Sequence, residues 1–289
     1  MSYRWSRLAP QRGVPFVAVL ATSAFLALAG GLIVAGSAQA AALPTLSLTV
    51  SASSIAVGGS AQSGAVNVVS IASGVKEASA ILFLLKPGVS VAEVESALKG
   101  GGGKDPNRVS KYGSIVFDAE AAPSPGSEAQ TTLQPGQYVA LGAPGEGPPK
   151  LHTAFTVTAA KSPMSLPTPE ATVRSIEFGF RGPATLHDGE LVRFENEGFL
   201  VHMDIAFPAK SNKAAKQIVK AMLAGKEKGL EKLAAGAPFS FAGPLSSGSY
   251  QQETITAKPG WYVQACFMET QDGRDHTRLG MERIFKIVK

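Results

Sequence analysis

With one cysteine in 289 residues, Cys266, the chain can form no internal disulfide. Exported proteins ordinarily use cysteines in pairs. A lone one is therefore an accident, an intermolecular partner, or a thiol kept for chemistry. Four histidines set a low ceiling on metal sites. No nucleophile–base–acid set, glycine-rich phosphate loop or His-x-x-x-His pair is present, which removes the enzyme classes built on them. No basic patch with interleaved aromatics occurs either, so nucleic acid is not an expected partner.

Acidic residues are missing altogether before Ala40, while Arg4, Arg7 and Arg12 supply positive charge. An apolar run from Val14 to Val34 follows, and Ala38-Gln39-Ala40 matches an Ala-x-Ala cleavage site, so residues 1–40 are expected to be a signal peptide. No two arginines are adjacent, which argues against a twin-arginine signal, and no cysteine near the cleavage site offers a lipid anchor. The rival reading is an uncleaved anchor, because the run approaches the roughly 20 residues that span a bilayer. On either reading the rest of the chain works outside the cytoplasm, in a secreted, periplasmic or cell-envelope location, and touches membrane only through an uncleaved leader. Without the leader's three arginines, 24 basic residues face 22 acidic ones, so the basic pI of about 9.3 belongs mostly to the leader.

What remains is long enough for two domains. Pro163, Pro167 and Pro169 punctuate residues 161–169, which lack strand patterning and read as a stiff linker between units 43–160 and 170–289. The units repeat each other. Pro135-Gly136-Gln137-Tyr138-Val139-Ala140-Leu141-Gly142 answers Pro259-Gly260-Trp261-Tyr262-Val263-Gln264-Ala265-Cys266, and after nine intervening residues come His152 and His276. Ala80 to Lys86 likewise answers Asp204 to Lys210, so a duplication is the simplest account.

Period-two alternation bounded by turn residues predicts strands. Leu191 to Asn196 and Phe199 to Phe207 read as two strands around a tight Glu197-Gly198 turn. Trp261 to Phe267 forms another, and Thr153 to Thr158 and Glu282 to Val288 close the two units. Each unit carries a helical insertion. Ser90 to Lys99 has a capping box in Ser90 and Glu93 and a glycine stop at Gly100 to Gly103. Lys213 to Leu233, broken near Gly225, shows an apolar stripe of Ala215, Ile218, Met222 and Leu223. The seven lysines between Lys210 and Lys232 fit either a docking face for an acidic partner or envelope surface, or an ordinary solvated face. The fold class expected is all-β: two Greek-key β-sandwiches, each interrupted by a helix.

Residues 165–289 resemble the cupredoxins, the small blue-copper sandwiches. That family has one histidine early, at a strand start, and a Cys…His…Met set late, on the loop joining its last two strands. Here His202 is the early residue and Cys266, His276 and Met281 form the late set. The His-x4-Met spacing is that of plastocyanin-like members. The nine residues between Cys266 and His276 come close to the loop in the blue-copper domain of copper nitrite reductases. The resemblance implies one copper ion held by His202, Cys266, His276 and Met281. It also implies electron transfer or copper carriage with a redox partner protein, and His276 as the electron port. It implies no enzyme: four histidines are too few for a trinuclear cluster, and Ala265 stands where nitrite reductases have a second-copper histidine.

The plainer alternative is a metal-free binding or structural module of the envelope. Cys266 would then be a small buried hydrophobe, Met281 core filler, His187 a solvated turn residue and His152 a relic. The first unit is expected to hold no metal, having Ala78 and Gly142 where the second has His202 and Cys266. One feature departs from the family. Asp204 and Gln264 lie two residues inward from the ligands, where relatives keep apolar side chains, and simple alternation turns both ligand strands outward. The expectation is that these two polar residues face each other beneath the site.

Overall fold

A computed structural model describes residues 42–99, 106–145, 149–226 and 228–289. The expected leader and the glycine stop after the first helix lie outside them. The chain is all-β, and each half is a sandwich interrupted by a helix. In the first half the order is β1 (Thr45–Val50), β2 (Ile55–Gly59), β3 (Gly64–Ala72), β4 (Ala78–Leu85) and helix α1 (Val91–Lys99). It continues with β5 (Gly113–Ala121), β6 (Ser127–Leu133), β7 (Gly136–Pro144) and β8 (Leu151–Val157). The second half opens with β9 (Ala171–Ile176), β10 (Gly179–Arg181), β11 (Thr185–His187), β12 (Leu191–Asn196), β13 (His202–Ala209) and helix α2 (Asn212–Leu223). It closes with β14 (Phe239–Leu245), β15 (Tyr250–Thr254), β16 (Gly260–Ala265) and β17 (Glu282–Val288).

One eight-stranded sheet, ordered β10-β9-β12-β15-β6-β3-β1-β2, runs through both halves. A four-stranded sheet, β5-β4-β7-β8, covers it in the first half, and a five-stranded one, β11-β17-β16-β13-β14, in the second. From its two ends the long sheet reads alike: an antiparallel edge pair, then a parallel pair (β1 with β3, β9 with β12), then β6 meeting β15 at the centre. A shared local bond marks the repeat as well. Tyr138 donates its hydroxyl to the Gln134 carbonyl at 3.1 Å, and Tyr262 donates to Lys258 at 2.6 Å.

The segment 161–169 lies against the molecule. Ala65 donates to the Met164 carbonyl at 2.8 Å and Gln252 to that of Pro167 at 3.0 Å. The first helix carries its capping box, with the Glu93 carboxylate accepting from both the backbone N–H and the hydroxyl of Ser90 at 2.8 Å. The second is shorter than its pattern suggested. It ends at Leu223, Gly225 follows in the left-handed region (φ 63°), and a single 3₁₀ turn at Leu230–Lys232 replaces the rest. No helix among the described residues is long and apolar enough to cross a membrane.

The expected Leu191–Phe207 hairpin is not one. β12 and β13 belong to different sheets, and β13 begins only at His202. Asn196 turns the chain across the sandwich. Its side-chain amide donates to the carbonyls of Leu200 and Leu245, both at 2.7 Å, and its oxygen accepts from Gly198 at 2.9 Å. The expectation that alternation turns the ligand strands outward is also overturned. Met203, Ile205, Phe207, Trp261, Val263, Ala265 and Phe267 pack beneath α2, against Ala215, Ile218 and Met222. Those positions look inward-facing by sequence because a helix covers the outer side. The other parity, His202, Asp204 and Ala206 with Tyr262, Gln264 and Cys266, faces the sandwich interior.

Candidate metal centre

His202 opens β13 directly after the loop pinned by Asn196. Cys266 is the first residue past β16, its amide donating to the Met281 carbonyl at 3.2 Å. The β16–β17 loop is pinched by a bridge between Glu269 and Asp275, then forms a 3₁₀ turn at His276–Leu279 and reverses at Gly280 (φ 94°) into Met281. Two further bonds tie the turn down: His276 donates to the Met268 carbonyl at 2.8 Å, and Met281 donates to that of His276 at 3.0 Å.

These elements bring two imidazoles and the thiol together. Nδ1 of His202 and Nδ1 of His276 are 3.2 Å apart, and the Cys266 Sγ lies 3.4 Å from the latter and 3.8 Å from the former. A triangle with those sides has its centre about 2.0 Å from each corner, a metal–nitrogen bond length. Cys266 and His276 are fully buried, as is Met281, which shares Cys266's core cluster; His202 is 1% exposed. Among the described residues this is the single place where three metal-ligating side chains converge.

The electrostatics suit a cation. Burial, and after it the nearby His276, lowers the His202 pKa to about 4, so this ring is a neutral donor. Burial pushes the Cys266 thiol up to about 12, against the backbone N–H groups of Met203 and Met268, which favour the thiolate; Met203 N–H points at Sγ from 3.4 Å. Without a positive ion the sulfur stays protonated in this setting. A bound metal supplies the charge that deprotonates a coordinating thiol. The residues present therefore fit a metal ion.

Beneath the donors, Gln264 donates its amide to the Asp204 carboxylate, as the sequence led us to expect, and Arg283 donates to the Gln264 oxygen at 3.1 Å. Burial raises the Asp204 carboxyl to about 7, opposed by the Gln264 bond and by Arg283. Asp204 belongs to this network and not to the converging donor set.

Two placements differ from expectation. His276 does not reach the surface and so is no exposed electron port. His152 is not a relic of His276. The register pairs Leu141 with His152 and Ala265 with Glu282, which makes His152 the counterpart of Glu282. The first half's loop spans only residues 145–150, against 266–281 in the second, so it lacks the segment that carries a histidine and a methionine. At Gly142 a Cβ would meet Val50 and Ile55 at 3.3 Å, so hydrocarbon fills the place of the sulfur. His187 sits exposed at an edge strand beside Glu190, as its turn setting suggested.

Sequence reasoning missed what closes the site. Phe178 stands edge-on to His276, with ring centroids 5.3 Å apart at 78°. Glu177 lies 3.9 Å from Nε2 of His202. Burial works to raise the Glu177 carboxyl, but the N–H groups of Leu200 and Phe199 outweigh it and the net shift is downward. The first sandwich also reaches the site. Val201 packs into its outer-face cluster of Ile81, Phe83, Val94, Ile115, Val139 and Leu141, Met268 lies against the same cluster, and Val201 donates to Asn107 at 2.6 Å. Nothing in the local sequence signals contacts that depend on how the two halves dock.

No family model matches this sequence, and no curated protein does. Similar solved structures include auracyanin A, a "blue" copper protein from Chloroflexus aurantiacus, 18% identical, covering 40% of this chain and 99% of that one at a TM-score of 0.24. An azurin from Methylomonas sp. strain J is 12% identical over 41% of this chain and 96% of its own, TM-score 0.24. A copper-containing nitrite reductase from Thermus scotoductus is 14% identical, covers 85% of this chain and 68% of that one, and also scores 0.24. Likenesses this distant decide nothing about the site, whose chemistry rests on its own three converging donors.

Proposed function

We propose that the chain holds one copper ion between His202, Cys266 and His276, with Met281 as the fourth donor, and serves in electron transfer or copper carriage. The observation that carries this reading is the triangle of two Nδ1 atoms and one Sγ, sized for a metal at its centre. Two imidazoles and a thiolate in a trigonal set accommodate both oxidation states of copper, whereas structural zinc takes four N, S or O donors and has little use for a thioether. The chemistry supplied when copper is bound is one-electron exchange. The protein's part is to keep the donors in place through both states and to exclude water. Export through the leader, and reaction with a partner protein, belong to the same proposal.

Copper titration of the purified protein tests it. One equivalent is taken up with intense thiolate-to-copper colour, and Cys266→Ser loses the colour. No stoichiometric uptake by the unaltered protein would leave a metal-free sandwich module instead.

A further inference from the structure

β9 and β10 pair with Ile176 opposite Gly179, so Glu177 and Phe178 form a two-residue turn. Such turns favour glycine, asparagine or aspartate, because left-handed backbone is needed. Phe178 nevertheless sits at φ 56°, the one non-glycine residue with positive φ among the described residues. A bulky side chain there is a conformational outlier, and such outliers gather at functional sites. Strand pairing gives no reason for this choice of residues. What the two side chains reach does.

Each faces a different imidazole, the Phe178 ring in contact and the Glu177 carboxylate across 3.9 Å, beyond hydrogen-bond reach. Phe178 meets the His276 ring edge-on. The Glu177 carboxylate faces Nε2 of His202 and accepts the backbone N–H groups of Phe199 and Leu200, the latter at 3.1 Å, which fixes it from the far side. The fit is close: a Cβ at Gly198 would stand 2.6 Å from Glu177 Oε1 and 2.9 Å from His202 Nε2. His202 is thus held with Nε2 toward a carboxylate and Nδ1 toward the other donors.

We propose that the Glu177–Phe178 turn is a positioning device for the metal centre. Through its charge, Glu177 favours the His202 proton on Nε2, which leaves the Nδ1 lone pair aimed at the ion, and Phe178 accepts a strained backbone to wedge the His276 ring. That the positioned atoms serve copper rests on the function proposed above; the positioning itself does not. When a metal takes Nδ1, the other ring nitrogen carries the proton, and a negative charge facing it favours that tautomer. The same charge also favours the more positive oxidation state of the ion.

Three variants of the full chain test this: Glu177→Gln, Glu177→Ala and Phe178→Gly. In the metal-free protein, imidazole nitrogen NMR shifts report the His202 tautomer. The unaltered protein shows Nε2–H, and Glu177→Ala shows a mixture. With copper bound, Glu177→Gln keeps the colour, because the amide oxygen still serves the Phe199 and Leu200 N–H groups, but its reduction potential rises. Phe178→Gly loses copper to a chelator at least tenfold faster than the parent. An unchanged tautomer in Glu177→Ala with an unchanged potential in Glu177→Gln overturns the role of Glu177. A Phe178→Gly variant that holds copper as firmly overturns that of Phe178. If the unaltered protein takes up no copper, the tautomer measurement still decides the role of Glu177, and the copper reading falls with the part given to Phe178.

Discussion

Asp204 and Gln264 have no polar equivalents in the first half, which places Ala80 and Ala140 at the same register positions. The pair was legible in sequence because both residues sit two positions from a proposed ligand, on facing strands. Its third member, Arg283, was not, since it arrives from β17 across the sheet to bond Gln264 and the Gly182 carbonyl at 2.9 Å. A buried polar network costs most when half satisfied. Asp204→Ala or Gln264→Ala alone is therefore expected to destabilise the metal-free protein by about 1–3 kcal/mol, by stranding the partner. The double change, which copies the first half, is expected to cost clearly less than the two singles together. Urea unfolding of the four proteins gives the coupling; simple additivity would mean the residues do not act as a pair.

At the scale of elements, strand positions were read well and strand orientation was not. Alternation identifies a strand facing water on one side. β13 and β16 face hydrocarbon on both sides, one being the sandwich interior and the other the underside of α2, so their apolar positions pointed away from the interior that holds the ligands. Helix α2 showed its own half of this arrangement openly. Ala214, Ala215, Ile218 and Met222 are buried, while Lys213, Lys216 and Lys220 are exposed. Its apolar stripe, not its charge, should carry the stability. Ile218→Ala is expected to cost about 2–5 kcal/mol through the cavity it leaves. Lys216→Ala and Lys220→Ala should each stay within about 0.5 kcal/mol. Thermal and urea unfolding check both, and a large loss from either lysine would show that the polar face is engaged with the body of the protein.

For the whole molecule, the sequence pointed to two similar halves but not to how they join, because the seam is made of residues without a local pattern. β6 meets β15 with Gln252 donating to Gln130 at 2.9 Å, Ser246 exchanges two bonds with the Ile115 backbone at 3.0 and 2.8 Å, and Asp118 donates its amide to Gln251 at 3.1 Å. The Asp118 carboxyl is buried against β14, where a Cβ at Gly243 would lie 2.3 Å from it. Burial, and after it the charge of Glu120, raises its pKa well above the ordinary 3.8. The sign of the consequence follows from linkage. Below about pH 4 both folded and unfolded chains carry this proton; above it the unfolded chain gives the proton up while the folded one keeps it, so the unfolded state gains by about 1.4 kcal/mol per pH unit until the folded group titrates. This part of the stability is complete in acid and shrinks as pH rises. Asp118→Asn, which keeps the shape and cannot ionise, should gain on the parent steadily from pH 5 to pH 7 in urea midpoints of the metal-free protein. Because the seam ties the halves together, that gain should appear in a single unfolding transition. Parallel stability curves for the two proteins would mean that Asp118 ionises freely in the fold. Two separate transitions, with only the earlier one moved, would mean that the continuous sheet does not couple the sandwiches.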